Sequence, residues 1–515
     1  MTLDKAISDL PYLFPGPGGA CAVVKSGKVL VRHSWGFANA ERRIAFTSKT
    51  LLRMCSITKQ FTCGLALDLF KNIDELDGDV RARLPLLAGA APSALHLCHN
   101  QSGLRDYWAV AMLHGSPVEA PFGDIEAARL IQGTRSLQFT PGSRYAYCNQ
   151  NFRILSDILE ARTGQGFGDL LRARIFEKAG MDSAMLAADT QALPDGSVGY
   201  EGTQASGFRE AVNRIVWTGD AGMAASLDDM IAWEVFIDRT REDANGLYNQ
   251  LSAPPHFSNG ASAAYGFGLG RAERLGRRIT AHGGALRGWR SHRLHVAEER
   301  LSIVVMFNHM SDAQAAATGV LSACLGEEPA LPQTRGTPDW LGAYLDAETG
   351  LSVRLEAAGP GKIRVRYANP AEWLDVQEDG SAQSESVWVG RHQGEVWMDR
   401  PAANQKARLE PCAAPGPTDE PMDITGKYWC GELEAALSVV DSGGVLYGGF
   451  SGFLGQGRME LLEPIGGNLW ALPCPRALDH TPPGDWTLKF HGSGSRADGV
   501  QVGCLIARGL AYHRQ

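Results

Sequence analysis

No stretch of this 515-residue chain approaches the roughly 18 consecutive apolar residues of a membrane-spanning helix, so no span is expected. The opening residues, MTLDKAISDLPYLFPGPGG, carry Asp4 and Asp9 and only one lysine, without an apolar run of secretory length. Export is therefore not expected, and cytoplasmic residence is. Long Lys/Arg runs are missing too. The balance of 49 basic against 57 acidic residues, −8 overall, suits phosphate neutralisation poorly, so nucleic acid is not an expected partner. The ten cysteines are scattered and none forms a C-x-x-C pair. Buried thiols are the simplest reading, and neither a disulfide framework nor a zinc site is suggested.

What is present is an ordinary globular composition, 44% hydrophobic and 21% charged, with ample core. At about 150 residues per domain the length suggests roughly three domains. Two proline-rich stretches, 326–338 and 411–421, resist both helix and central strand and read as linkers. They leave a body over 1–330 and two tail pieces over 331–415 and 416–515. The tail pieces repeat each other. Gly342, Tyr344, Glu348 and the run Leu351, Ser352, Val353 recur as Gly426, Tyr428, Glu432 and Leu437, Ser438, Val439, with a two-residue difference left to a loop. Both are rich in short β-type runs between glycine turns, which predicts two related antiparallel β-barrels.

The body mixes periodicities. Residues 21–31 alternate around Ser26 and Gly27, a hairpin signal. Residues 61–70 and 151–163 have helical spacing, the second stopping at Gly164. Residues 301–307 read as a buried strand. Strands at both ends and helices between predict an α+β body whose sheet draws on both ends of the chain.

Three short motifs could carry chemistry. Ser56 and Lys59 stand three apart at a helix start, so hydroxyl and amine share a face, and the helix dipole favours a developing oxyanion at the serine. A helix cap would look the same. Tyr147 and Asn149, two apart after residues 139–142 (FTPG), can both face a cleft. The tyrosine could accept a proton if ammonium groups lower its pKa, and the asparagine could orient Lys59 and a substrate amide. A similar Tyr367, Ala368, Asn369 triplet sits in a tail domain and is given no function. His282, Gly283, Gly284 and Ala285 would let backbone approach a ligand closely, although a plain hairpin turn would also use them.

In this order and at these distances the three resemble the S-x-x-K, Y-x-N and [KH]-x-G motifs of the serine β-lactamase and penicillin-recognising superfamily. Residues 97–104 (LCHNQSGL), 139–142, 175–181 and 221–230 resemble further segments of that family, and the likeness covers roughly 10–310. The resemblance implies an α+β catalytic domain, an antiparallel sheet with a helical cluster, and an acyl-serine mechanism. Ser56 would attack a carbonyl, and Lys59 and Tyr147 would move its proton. Asn149 would hold Lys59, and the backbone N–H groups of Ser56 and Ala285 would form the oxyanion hole. Gly283 and Gly284 would line the substrate site. No metal or cofactor is required.

His282 stands where many members of the superfamily carry lysine. A histidine of ordinary pKa is mostly neutral at pH 7.5, which argues against a strong carboxylate clamp, though Arg287 and Arg290 could compensate. With two β domains following, the whole looks like the bacterial D-stereospecific aminopeptidases. That implies release of N-terminal D-amino acids such as D-Ala from peptides or amides, by a homodimer. A carboxylesterase or penicillin-hydrolysing enzyme on the same fold is the alternative, and an acylated sensor without turnover a further one. Cys55, Cys63 and Cys148 are expected to be packing residues. A free amine needs an anion near the scissile bond that the motifs do not supply. The long Pro-rich loop 473–485 is the expected source: similar aminopeptidases send such a loop into the cleft, with Asp479 here as the first candidate and Asp485 the second.

Overall fold

The computed structural model describes residues 2–327, 335–367, 371–412, 422–479 and 483–515. The expected domain boundaries at 330 and 415 lie outside them, as does Asn369. The body is organised by two strands whose alternate residues serve different cores. Gly18–Lys25 pairs antiparallel with Leu301–Phe307. Cys21, Val23, Ile303, Val305 and Phe307 pack in a core with residues of the helices Leu3–Leu13 and Ala313–Leu325. Ala20, Ala22, Val24, Val304 and Met306 join the larger core shared with the helical cluster. A strand covered on both faces needs a mostly apolar run, which residues 301–307 have, and the one polar residue, Ser302, places its Oγ 2.8 Å from His295 Nδ1.

The eight-stranded sheet runs, edge to edge, Ile44–Ala45, Lys28–Asn39, Gly18–Lys25, Leu301–Phe307, Trp289–Val296, Arg277–Leu286, Leu269–Arg274 and Tyr265–Gly266. Both ends of the body build it, as the sequence predicts. Ser26 and Gly27 take positive φ (51° and 71°) in the expected hairpin, and Gly164 (φ 70°) ends the helix Gln150–Thr163.

The first tail domain is a closed barrel of eight strands from Gly342–Asp346 to Gln405–Pro411. The second is a ten-stranded antiparallel sheet whose ends do not pair strand to strand among the described residues. Here the chain itself bridges the gap. Glu460–Leu461 pairs with Leu446–Gly452, Leu462 N donates to Leu446 O at 2.9 Å, and Glu463–Gly466 then pairs with Leu469–Leu472 near the other end of the sheet.

The repeat is real, but its register differs from the sequence reading. Tyr344 lies opposite Val353 and Tyr428 opposite Leu437, nine residues on in each case, so no loop absorbs two residues. The counterpart of Val439 is Leu355, on the same face one pleat further on. Each tyrosine hydroxyl donates to the carbonyl four residues upstream, Tyr344 to Trp340 at 2.6 Å and Tyr428 to Ile424 at 2.8 Å. Gly342 and Gly426 share φ values of 152° and 144°, which L side chains rarely adopt.

The repeated glutamates dock the tail on the body. Glu348 pairs with Arg144. Glu432 lies 3.0 Å from Arg105 and accepts from Ser136 Oγ at 2.7 Å. Arg105 is 8% exposed, whereas the nearby pair Arg135–Glu434 is 43% and 62% exposed. Glu432→Ala should therefore cost about 1–3 kcal/mol, by leaving a buried guanidinium with neutral partners alone, the carbonyls of Arg508 and Ser136 and the Ser136 hydroxyl. Glu434→Ala should cost less than about 1 kcal/mol. Denaturant midpoints of the two variants measure the difference.

Candidate active site

Ser56 sits in a short 3-10 turn, Cys55–Ile57, that runs straight into the helix Thr58–Leu69. Cys55 takes φ 50°, a conformation that non-glycine residues rarely hold and that marks a tightly determined turn. On the first turn of the helix Lys59 is fully buried, and its Nζ reaches three oxygens: Ser56 Oγ at 2.9 Å, Asn149 Oδ1 at 2.8 Å and the Asp220 carbonyl at 2.7 Å. Tyr147 Oη donates to Ser56 Oγ at 2.8 Å. Lys59 and Tyr147 thus meet at the Ser56 hydroxyl, and Asn149 reaches it only through Lys59.

Electrostatics sorts their protonation. Burial lowers Lys59 to about 8, against the pull of Asp220, Asp106 and Asp479, which raise it. Burial pushes the Tyr147 phenol well up, so the expected lowering by ammonium groups does not occur and Tyr147 stays protonated. A neutral Lys59 has two N–H groups and one lone pair. Its partners at Asn149 Oδ1 and Asp220 O can only accept. The lone pair is then left for Ser56, the one partner with a proton to give.

A polar buttress behind this trio was not foreseen. Asp106 is fully buried at the start of the helix Tyr107–Leu113. Its Oδ2 accepts from Asn149 N at 2.6 Å and Asn149 Nδ2 at 2.9 Å, and its Oδ1 accepts from Trp108 N at 2.9 Å. Asn100 Oδ1 accepts from Cys148 N and Asn151 Nδ2, and Ser102 Oγ donates to Asn151 Oδ1 at 2.9 Å. Segment 97–104 is therefore the seat of the Tyr147–Asn149 turn. Its motif-like spelling was the available signal, and Asp106 lies two residues past it.

His282 lies on Arg277–Leu286, where Nδ1 is 2.6 Å from Gly283 O and Nε2 is 3.0 Å from Tyr265 Oη. Burial, then the Lys59 charge, lowers it to about 3, so the ring is neutral. With Nδ1 protonated toward the carbonyl, Nε2 accepts from Tyr265, a residue the sequence did not single out. Gly284 has a packing reason: a Cβ there would come within 2.1 Å of Met54 O, just before the Ser56 turn. Gly283 meets no such obstacle, its nearest neighbour being His292 Nδ1 at 3.4 Å. Past Ala281 the strand pairs on one side only, with Trp289–Val296, because Leu269–Arg274 stops at that point. Residues 282–285, including Ala285, thus belong to a stretch with one edge unpaired.

The loop from the last domain enters the body. Ala477 and Leu478 are buried, Leu478 within the body's main core, and Asp479 is 4% exposed. The Asp479 charge acts on Lys59, Tyr147 and Cys55, so it lies within electrostatic reach of the Ser56 cluster. Asp485, the second candidate, instead pairs with Arg354 and, at 2.7 Å, with Arg366, joining the two tail domains. Residues 480–482 of the loop lie outside the described residues. Arg287 is not available as a carboxylate clamp, because its guanidinium is spent on backbone carbonyls. Cys55, Cys63 and Cys148 are fully buried, and burial raises each thiol. Among the described residues no cluster of metal-ligating side chains occurs and no helix is long and apolar enough to cross a membrane.

A sequence model described as Beta-lactamase matches residues 14–324, and one described as D-aminopeptidase, domain B matches 333–513. A D-aminopeptidase of Gluconobacter oxydans (strain 621H) is 57% identical to this chain, covering 99% of it and 98% of that protein. A D-aminopeptidase of Brucella ovis is 45% identical over 100% of this chain and 98% of its own. Among solved structures, the octameric penicillin-binding protein homologue from Pyrococcus abyssi aligns with TM-score 0.54 at 18% identity, over 79% of this chain and 98% of its own. The D-amino acid amidase from Ochrobactrum anthropi SV3 aligns with TM-score 0.51 at 19% identity, over 63% and 99%. At such identities the two structures speak for the fold of the catalytic body.

Asp106→Asn should loosen Asn149 by replacing one of its two acceptor lone-pair sets with a donor. A fall in kcat of roughly 10- to 100-fold with little change in KM is expected, since a hydrogen bond to a charged group is worth about 1.5–3 kcal/mol. Steady-state kinetics of the purified variant would measure it.

Proposed function

The chain belongs to the D-aminopeptidase family on the β-lactamase fold, and from that premise we propose that it releases N-terminal D-amino acids from peptides and amides through an acyl-enzyme on Ser56. The observation that carries the reading is the meeting of Lys59 Nζ and Tyr147 Oη on Ser56 Oγ, at 2.9 and 2.8 Å. Lys59, neutral above about pH 8, takes the serine proton as Oγ attacks the scissile carbonyl. The tetrahedral oxyanion is held by the N–H groups of Ser56 and Ala285. Such a donor is typically worth about 10²–10³ in rate. Tyr147, a protonated phenol, passes a proton to the departing amine and is reprotonated from Lys59. Water then attacks the acyl-enzyme by the same route in reverse.

Asn149 holds Lys59 and faces the acyl side, while neutral His282 and Gly283 line the strand along which the substrate backbone lies. Asp479 receives the free ammonium. Homodimeric assembly, on the strength of family likeness, and cytoplasmic residence complete the proposal. Sedimentation equilibrium and cell fractionation test these two points.

A panel of p-nitroanilides of D- and L-alanine, beside p-nitrophenyl propionate and a penicillin, tests the activity. Turnover of the D-anilide alone among the anilides supports it, whereas preference for the lactam or the ester would favour another hydrolase of this fold. Ser56→Ala should lower kcat by roughly 10⁴-fold or more while the fold, read by circular dichroism, is kept.

The pH profile is a second check. On p-nitrophenyl propionate, which has no amine to titrate, kcat/KM should rise with pH through about 8 and level off as Lys59 loses its proton. Because the Asp479 charge raises Lys59, Asp479→Asn should move this ascending limb to lower pH.

A further inference from the structure

Arg287 occupies the two-residue turn between Arg277–Leu286 and Trp289–Val296, two positions past Ala285. It is 3% exposed. Nε and Nη2 both donate to Val212 O, at 3.2 and 3.0 Å. Nη1 donates to Ala477 O at 2.7 Å and to Asp479 O at 3.3 Å. Four bonds from one planar guanidinium thus tie two segments distant in sequence, a body loop and the loop of the last domain. The turn is itself held: Asn213 Nδ2 donates to Arg287 O at 3.0 Å, and a Cβ at Gly288 (φ 83°) would come within 2.5 Å of Gly199 C.

Other contacts hold the loop too: Asp485 pairs with Arg354 and Arg366, and Cys474 N donates to Gly484 O at 2.9 Å. Leu478 is buried in the body's core. Arg476 pairs with Glu119 and Glu201 at 3.3 and 3.2 Å, an exposed contact that contributes little. The bonds from Arg287 flank Leu478 on both sides, at 477 and 479, so they fix the direction in which the Asp479 backbone presents its carboxylate. They do so from the turn that directly follows the strand carrying Ala285, so one residue links the loop bearing Asp479 to that strand.

We infer that Arg287 is a positioning residue for substrate selection: by clamping the carbonyls of Ala477 and Asp479, it sets the distance between the carboxylate that reads the substrate's free amine and the strand that binds its carbonyl. This rests on the assignment of the amine to Asp479. A lysine in its place has a single nitrogen and cannot span carbonyls from both segments.

The test is a double-mutant cycle on the full-length protein with Arg287→Met, Arg287→Lys, Asp479→Asn and the two Met/Asn and Lys/Asn combinations. It is read as kcat/KM on D-alanine p-nitroanilide and on p-nitrophenyl propionate. Arg287→Met should lower kcat/KM on the anilide about 10- to 100-fold, chiefly through KM, and change the propionate ester by less than about threefold. Arg287→Lys should fall between, and serves if the Met variant does not fold. In the Asp479→Asn background neither Arg287 change should lower the anilide rate further, because the residue they position no longer carries charge. Equal factors in both backgrounds, or equal losses on both substrates, would overturn the inference while leaving the Asp479 assignment standing. An Asp479→Asn variant with undiminished activity on the anilide would instead remove that assignment, and the inference with it.

Discussion

The burial of one ammonium group governs this active site. Lys59 is taken wholly out of water, and an uncompensated charge there would cost several kcal/mol. The protein responds in two ways at once. It supplies three oxygens at hydrogen-bond distance, and it lets burial bring the amine to about 8, so the unprotonated form is accessible near neutrality. Much of the surrounding structure serves that compromise. Asp106 holds Asn149, so that Asn149 can hold Lys59. The Tyr107 hydroxyl donates to Asp220 Oδ2 at 2.6 Å, which fixes the residue whose carbonyl takes another Lys59 hydrogen.

The tail domains share in this arrangement. Asp106 N donates to Ile506 O at 2.9 Å, and Arg105 Nε donates to Arg508 O at 2.8 Å. A turn of the last domain thus bears on the residue that positions Asn149. The first barrel touches the same region from another side, where Tyr145 N donates to Ala403 O at 3.3 Å and Asn404 Nδ2 to Ser143 O at 2.8 Å. Between the tail domains Ser352 N donates to Thr487 Oγ1 at 2.9 Å, and Arg354 and Arg366 share Asp485. The three units therefore brace one another around the segment 143–149. The repeated glutamates at 348 and 432 each pair with an arginine of the body, Arg144 and Arg105.

Legibility in the sequence followed locality. The hairpin at Ser26, the helix ending at Gly164 and the strand at 301–307 were readable because periodicity and turn chemistry act over a few residues. Ser56, Lys59, Tyr147, Asn149 and His282 were readable because their spacing matched a family pattern, and geometry brings them together. Asp106, Tyr265 and Arg287 act on partners 17 to 192 residues away. Their own spacing does not name such partners, although Asp106 lies two residues past the motif-like segment 97–104. The repeat was visible, but its register was not: a shift of two residues keeps every side chain on the same face, so the apolar pattern alone cannot tell the two pairings apart. The direction of the Tyr147 shift was misjudged because a nearby ammonium is legible in a motif, whereas the depth of burial that overrides it is a property of the fold.

The balance of charge in the cleft bears on which end of a peptide it accepts. Relatives with lysine in the third motif place a fixed cation there; here His282 is neutral, lowered to about 3 by burial and by Lys59. Arg287 is committed to backbone carbonyls, and Arg290 donates to the carbonyls of Leu286 and Trp289 at 2.6 and 2.7 Å. On the other side of the ledger, Asp106, Asp220 and Asp479 all act on Lys59 as negative charges. When Lys59 gives up its proton, its positive charge leaves the site while the carboxylates that act on it remain. Loss of that charge shifts the field at Ser56 toward favouring a positive group on the substrate over a carboxylate. A free α-ammonium next to the scissile carbonyl satisfies that field, and it does so most strongly in the protonation state in which the serine can be activated. Selection for the amine terminus and activation of the nucleophile are in this way two consequences of one charge arrangement.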